Sequence, residues 1–142
     1  MPVLIHYNNQ KFTPPSEEDL INFLSELLEN EEHFSGEINI IYVGNDEILE
    51  LNKKYLNHNY FTDVLAFRYN EGTTVDGDIF INLDKVYEHS REYSTTFYDE
   101  CLRVVIHGIL HLTGYTDTTA AARNRMHELE NHYLSEFYSK KE

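Results

Sequence analysis

Cysteine is nearly absent from this chain of 142 residues, and the chain has no long hydrophobic run. The single cysteine, Cys101, excludes an intrachain disulfide, and we expect an intracellular, reducing environment. No apolar stretch approaches the roughly 18 residues of a transmembrane helix, and no basic segment precedes an apolar one at the N-terminus. The sequence therefore predicts a cytoplasmic protein without a membrane segment. The simplest expectation for domain organisation is a single domain over residues 1–142.

Basic residues are also scarce. The chain has 11 lysines and arginines against 25 acidic residues, which gives a formal net charge of -14. A protein that binds nucleic acid usually carries a basic surface, so the charge alone disfavours an RNA substrate. Net charge describes solubility and non-specific binding, however, and a local basic groove is compatible with an acidic total.

Hydrophobic periodicity predicts an α+β fold. Strands are predicted at Val3–Tyr7, Glu37–Val43, Val64–Phe67 and Ile79–Asn82. Helices are predicted from Ser16 to about Glu29, from Gly44 to about Tyr55, at Leu83–Tyr93, at Tyr98–Leu112 and at Thr119–Tyr138. The polar connection Asn70–Asp76 is too short for a crossover, so the third and fourth strands are expected to pair antiparallel. We expect a small mixed four-stranded sheet packed with about five helices, with the histidine-bearing helix buried in a zincin-like arrangement.

The segment Arg103–Asp117 carries the main functional signal. His107 and His111 are four residues apart, so on a helix both imidazoles project from one face. The surrounding residues are almost all apolar, which predicts a buried helix whose two histidines need polar partners. Gly114 predicts the end of this helix, because glycine adopts the left-handed C-cap conformation without penalty, and the chain then turns and brings Asp117 back towards the histidines. The pattern H-x3-H-x5-D predicts a metal site with three ligands.

Two interpretations of these residues remain open. In the first, the three side chains hold a catalytic metal, since structural zinc is normally closed by four ligands, and the open position carries a water with a pKa of about 7. In the second, two core histidines bond to backbone or carboxylates, and Asp117 is a solvated loop residue that caps the next helix. The metalloprotease pattern H-E-x-x-H places a general base directly after its first histidine. Gly108 occupies that position here, so the residues favour a metal hydrolase over a peptidase.

The stretch His107–Tyr115 resembles the H-G-x-L-H-L-x-G-Y signature of the YbeY family, metal-dependent endoribonucleases of ribosomal RNA maturation. Upstream segments are similar to other motifs of that family, namely Leu51-Asn52 with Tyr55, Thr62–Leu65 with Phe67, and Gly77–Ile79; Glu100 and Leu102 also lie near the family's E-L before the metal helix. The spacing between these blocks agrees from about residue 46 to residue 117, which is half of the chain.

The resemblance implies a single-strand-specific endoribonuclease that acts in 16S rRNA 3′-end maturation and ribosome quality control through metal-activated water. It implies one Zn²⁺ per chain, or another divalent metal, held by His107, His111 and Asp117. It also implies ribosomal RNA and proteins of the small ribosomal subunit as partners. Neither the motifs nor the composition indicates an oligomeric state.

Two positions depart from the family pattern. Asp117 stands where the family usually has a histidine, and a carboxylate in that place should make the metal a weaker Lewis acid and suit Mn or Fe better than three histidines would. Leu56 stands where the family typically has an arginine, and leucine cannot bind a phosphate as arginine does. His58 in the same segment is a candidate replacement, although a plain polar loop residue is the simpler interpretation.

The residue that moves protons is not identified by these patterns. Glu100, Asp63, His58 and Asp78 are candidates by position, and each also has a structural interpretation. Two alternative functions stay open as well. One is a non-catalytic ribosome-assembly factor with a structural metal, and the other is a metal hydrolase of another substrate.

Overall fold

A mixed four-stranded sheet forms the centre of the structure, a computed structural model that describes residues 3–8, 16–56 and 62–140. Its strands are β1 (Val3–Tyr7), β2 (Phe34–Val43), β3 (Val64–Arg68) and β4 (Thr74–Asn82). They lie in the spatial order β1-β2-β4-β3. Both neighbours of β2 run parallel to it, and β3 pairs antiparallel with β4. The predicted α+β class and the predicted antiparallel pair are confirmed.

The five predicted helices are all present. They are α1 (Glu17–Asn30), α2 (Asn45–Leu51), α3 (Leu83–Glu92), α4 (Phe97–Leu112) and α5 (Ala120–Lys140). A π-helical segment, Asn52–Leu56, continues α2 to one residue beyond the predicted end near Tyr55. Residues 57–61, which include His58, lie outside the described residues. Within the described ranges, no helix combines the length and the apolar character that crossing a bilayer requires.

Two strands begin earlier than the sequence predicted. β2 begins at Phe34 and β4 at Thr74. The early part of β4 alternates buried Val75 and Gly77 with partly exposed Asp76 and Asp78. Since successive side chains of a strand point to opposite faces, these aspartates lie on the face away from the main core, and their polarity concealed the strand.

The main core lies on one face of the sheet, where α4 packs against β3, β4 and the helices α1, α3 and α5. From Glu100 to Leu112, every residue of α4 is buried except Arg103, His107 and His111. Cys101 is buried in this core, and burial raises the pKa of its thiol to about 12, so it acts as a small apolar residue. A smaller cluster under α2 covers part of the opposite face.

Gly108 allows α4 to approach the sheet closely. A Cβ atom at this position would lie 2.7 Å from Cγ2 of Ile79 and 3.4 Å from Cγ2 of Val64. The position that carries the general base in H-E-x-x-H metalloproteases therefore has no room for a side chain here. The packing of the helix excludes the peptidase arrangement, which the sequence had only disfavoured.

We expect Gly108→Ala to destabilise the protein. Overpacking against β-branched Ile79 costs about 1–3 kcal/mol, whereas the gain in helix propensity is at most about 1 kcal/mol. Urea unfolding of the metal-free protein measures the difference. Ser135→Ala, at an exposed position of α5, is the control and should leave the free energy of unfolding nearly unchanged. A stability for Gly108→Ala equal to or above that of the wild type would contradict the close packing.

Candidate metal centre

Three side chains converge where α4 ends. Nε2 of His107 lies 2.9 Å from Nε2 of His111. Oδ2 of Asp117 lies 3.4 Å from the first of these atoms and 3.5 Å from the second. Gly114, with φ of 109°, has the left-handed conformation expected after the helix and turns the chain so that Asp117 reaches the histidines. The structure thus brings together all three residues that the sequence predicted as ligands.

The other nitrogen of each imidazole has its own acceptor. Nδ1 of His111 lies 3.0 Å from the carbonyl oxygen of Tyr115, which can only accept, so Nδ1 carries the proton. Nδ1 of His107 lies 2.6 Å from Oε2 of Glu130, a carboxylate on α5. In the neutral rings, both Nε2 atoms therefore present lone pairs towards each other and towards the Asp117 carboxylate.

This donor set fits a divalent metal. When both rings are neutral, two imidazole lone pairs and a carboxylate oxygen face one another, an arrangement that a bound cation would stabilise. The three ligand atoms all lie within 4.8 Å of one another, so the group could hold a metal ion. A tetrahedral zinc with bonds of about 2.0–2.1 Å separates its ligands by about 3.3–3.4 Å, close to the two distances that involve Asp117.

Asp117 does not cap the following helix. Ala122 N–H donates to Oγ1 of Thr119 at 3.0 Å, so Thr119 provides the side-chain cap of α5. The Asp117 carboxylate is partly exposed and faces the two histidines. The interpretation of Asp117 as a helix cap is therefore wrong, whereas the expected backbone and carboxylate partners of the histidines are present on Nδ1.

His107 and Glu130 shift each other's pKa. Burial opposes protonation of His107, but the hydrogen bond and charge of Glu130, with the charges of Asp63 and Asp117, outweigh it and raise its pKa above the usual value. Burial likewise opposes ionisation of Glu130, but hydrogen bonds and charges from His107 and Arg103 outweigh it and lower the pKa of Glu130. Glu130 is therefore a carboxylate at neutral pH.

Glu130 is the site residue that sequence reasoning missed. It is 7% exposed and lies on the buried face of α5, four residues after Met126 and three before Tyr133. A charged residue within this apolar stripe was the available signal, because a buried carboxylate requires a partner. Its partner could not be read from the sequence, since His107 belongs to another helix.

The candidates for proton transfer lie at different distances from the centre. Glu100 is buried near the start of α4, about 10 Å along the helix from His107, so it cannot orient that ring. Asp78 lies on the opposite face of the sheet from α4, where it accepts hydrogen bonds from Asn39 and Tyr69. Asp63 is the described candidate whose charge acts on His107, and its carboxylate lies 3.7 Å from Nδ1 of His89.

Fold and site together define the class of protein: an α+β protein with a candidate mononuclear metal centre at the end of a buried helix. Comparisons with known proteins identify the family. The chain matches the family model of endoribonuclease YbeY over residues 5–138. Endoribonuclease YbeY of Azobacteroides pseudotrichonymphae is 36% identical over 139 residues, which cover 98% of this chain and 100% of that protein. The corresponding protein of Chlorobaculum tepidum is 46% identical over 99 residues, 70% of this chain and 72% of the relative.

A solved structure has the same fold. The solution structure of TM1509 from Thermotoga maritima superimposes with a TM-score of 0.70 at 34% sequence identity, and the match covers 97% of this chain and 90% of that one. The chain belongs to the endoribonuclease YbeY family, as the resemblance of its motifs implied.

We expect Asp117→Asn to weaken metal binding by more than about 100-fold, since it removes a charged ligand and effects of 10–100-fold are typical already for outer-shell partners. Asp117→His, which introduces the family's usual residue, should retain about one metal per chain. Elemental analysis after dialysis against dilute chelator measures both. Full metal retention by Asp117→Asn would remove Asp117 from the ligand set.

Proposed function

We propose that this protein is a metal-dependent endoribonuclease that hydrolyses phosphodiester bonds of RNA. In this proposal His107, His111 and Asp117 hold one divalent metal, with zinc as the first choice. The observation that carries the proposal is the convergence of three possible metal-ligand atoms, two imidazole nitrogens and one carboxylate oxygen, in a chain of the YbeY family. The proposal also treats residues 1–142 as one hydrolase domain.

His107, His111 and Asp117 would hold the metal, which would supply a water of lowered pKa and polarise a phosphoryl oxygen. The two imidazoles and the Asp117 carboxylate would bind the metal and fix its position. The half-exposed position of Asp117 leaves one side of the site open to substrate.

We further propose single-stranded ribosomal RNA as the substrate, with roles in 16S rRNA 3′-end maturation and ribosome quality control in the cytoplasm. Family membership supports this assignment. Proteins of the small ribosomal subunit are proposed as partners because most ribosomal proteins are basic, and a chain of net charge -14 is attracted to a basic surface.

A structural metal in a non-catalytic assembly factor is the competing function. The packing of α4 argues against it, because this helix is anchored by residues that are buried without any contribution from the ligands, among them Val105, Ile106, Ile109 and Leu110. A metal that is not required for folding is better suited to chemistry.

His111→Ala separates the two functions. We expect the variant to remain folded and to lose RNA cleavage by at least about 100-fold, since it removes a ligand but no part of the core. Circular dichroism and cleavage of a fluorescent single-stranded RNA, with zinc or manganese supplied, measure the two properties. His132→Ala, an exposed histidine of α5, is the matched control. Unfolding of His111→Ala, or a wild type that cleaves no RNA with either metal, would favour the assembly factor.

Arg123 is proposed to contact RNA phosphate beside the metal site. Its Nη1 donates to the backbone oxygen of Asp117 at 3.4 Å, and its side chain is exposed at the start of α5. By contrast, Arg103 forms an ion pair with Glu130 and is therefore not available to bind a phosphate. A positive charge at this place compensates locally for the acidic total charge.

We expect Arg123→Gln to weaken RNA binding uniformly across sequences and to reduce the slope of log affinity against log salt by about 0.7–1. Fluorescence anisotropy between low and moderate salt measures that slope. Lys140→Gln is the control, since Lys140 lies about 25 Å further along α5 and pairs with Glu26. Equal slopes for Arg123→Gln and the wild type would show that Arg123 does not neutralise a phosphate.

A further inference from the structure

The Glu130 carboxylate contacts two partly exposed side chains of α4, those of Arg103 and His107. Its Oε2 lies 2.6 Å from Nδ1 of His107, and its Oε1 lies 3.0 Å from Nη1 of Arg103. Arg103 and His107 are one helical turn apart on α4, so a single carboxylate from α5 spans both. The second guanidinium nitrogen, Nη2, donates to Oδ1 of Asn131 at 2.7 Å, which fixes the guanidinium plane.

The carboxylate constrains the proton of the imidazole. An ionised carboxylate is acceptor-only, so the ring nitrogen that faces it must carry the hydrogen. Arg103 occupies the other oxygen with an N–H group and therefore favours the ionised form of the carboxylate. The proton of the neutral ring stays on Nδ1, and Nε2 keeps its lone pair towards Asp117 and His111.

The two histidines differ in this respect. Nδ1 of His111 donates to a neutral backbone carbonyl, that of Tyr115, whereas Nδ1 of His107 donates to a charge. A carboxylate partner raises the basicity of the opposite ring nitrogen more than a carbonyl does. Of the two imidazoles, His107 is therefore the one whose ligand strength depends on a replaceable side chain.

We propose that Glu130 is a positioning residue that selects the Nδ1–H tautomer of His107 and thereby prepares Nε2 to bind the metal. This inference rests on the proposed function insofar as it concerns the metal. The choice of tautomer itself is a property of the metal-free protein and is tested separately.

Glu130→Gln gives a specific expectation, because an amide has one acceptor end and one donor end. Arg103 can only donate, so the amide oxygen turns towards it and the NH₂ group turns towards Nδ1 of His107. That nitrogen must then accept, and the proton of the neutral ring moves to Nε2, where it competes with the metal. The substitution keeps size and both hydrogen bonds, so the fold is retained.

Long-range ¹H–¹⁵N NMR of the metal-free protein, at a pH where the His107 ring is neutral, reads the tautomer directly. We expect Nδ1–H in the wild type and predominantly Nε2–H in Glu130→Gln. Zinc affinity, measured in competition with a chromogenic chelator, should fall by about 10–100-fold in the variant. Glu128→Gln removes the same charge from an exposed position of α5 and should match the wild type in both measurements.

A second variant separates positioning from a merely structural tie between α4 and α5. Arg103→Met breaks the ion pair but leaves the carboxylate on His107, so the Nδ1–H tautomer should persist. The double variant Arg103→Met/Glu130→Gln has no arginine that donates to the amide oxygen. The amide can then turn this oxygen towards Nδ1 of His107, and the Nδ1–H tautomer should return. A structural role alone would make Arg103→Met as damaging as Glu130→Gln and would give no such rescue.

Retention of the Nδ1–H tautomer and of wild-type zinc affinity in Glu130→Gln would overturn the inference. A tautomer change in Glu130→Gln, together with a wild type that binds no zinc, would support the positioning role while contradicting the proposed metal. The two failures are therefore distinguishable in the same set of proteins.

Discussion

The close approach of α4 to the sheet determines where the proposed metal centre can form. Gly108 lies against Ile79, so one side of the helix is pressed onto β4, and the other helices cover most of what remains. The stripe that contains His107 and His111 is left facing α5 and the open side of the site. The C-terminal end of α4 is held as well, because Arg68 of β3 donates to the carbonyl oxygen of Leu112 at 3.1 Å. The fold thus fixes the backbone of two of the three proposed ligands.

The acceptors behind both imidazoles are themselves held in place. Arg103 binds the Glu130 carboxylate on one side of the centre. On the other side, the hydroxyl of Tyr115 donates to Oε1 of Glu31 at 2.6 Å, and the hydroxyl of Tyr133 donates to the same carboxylate. The hydrogen bond to Glu31 raises the pKa of Tyr115, so its phenol remains a donor at neutral pH. Both rings are therefore oriented by groups that have little freedom to move, as a preorganised site requires.

Much of this arrangement could be predicted from local sequence, and the limits have physical causes. The helix, its end at Gly114 and the return of Asp117 follow from spacing within fifteen residues, and the structure contains each of them. The predicted start of β4 was wrong because aspartates on the face away from the main core hide the apolar alternation of the strand. Glu130 was missed because its partner is 23 positions away, on another helix. A hydrogen bond between polar groups that are far apart in the chain is difficult to infer from a single sequence.

His107, His111 and Asp117 are the three proposed metal ligands, and the function of the site depends on their identity. X-ray absorption spectroscopy at the zinc edge of the zinc-loaded protein tests this ligand set most directly, because imidazole ligands give a distinct multiple-scattering signal. We predict two imidazoles, with oxygen from Asp117 and water completing the shell. Three imidazoles, a sulfur ligand or a shell of oxygen alone would contradict it.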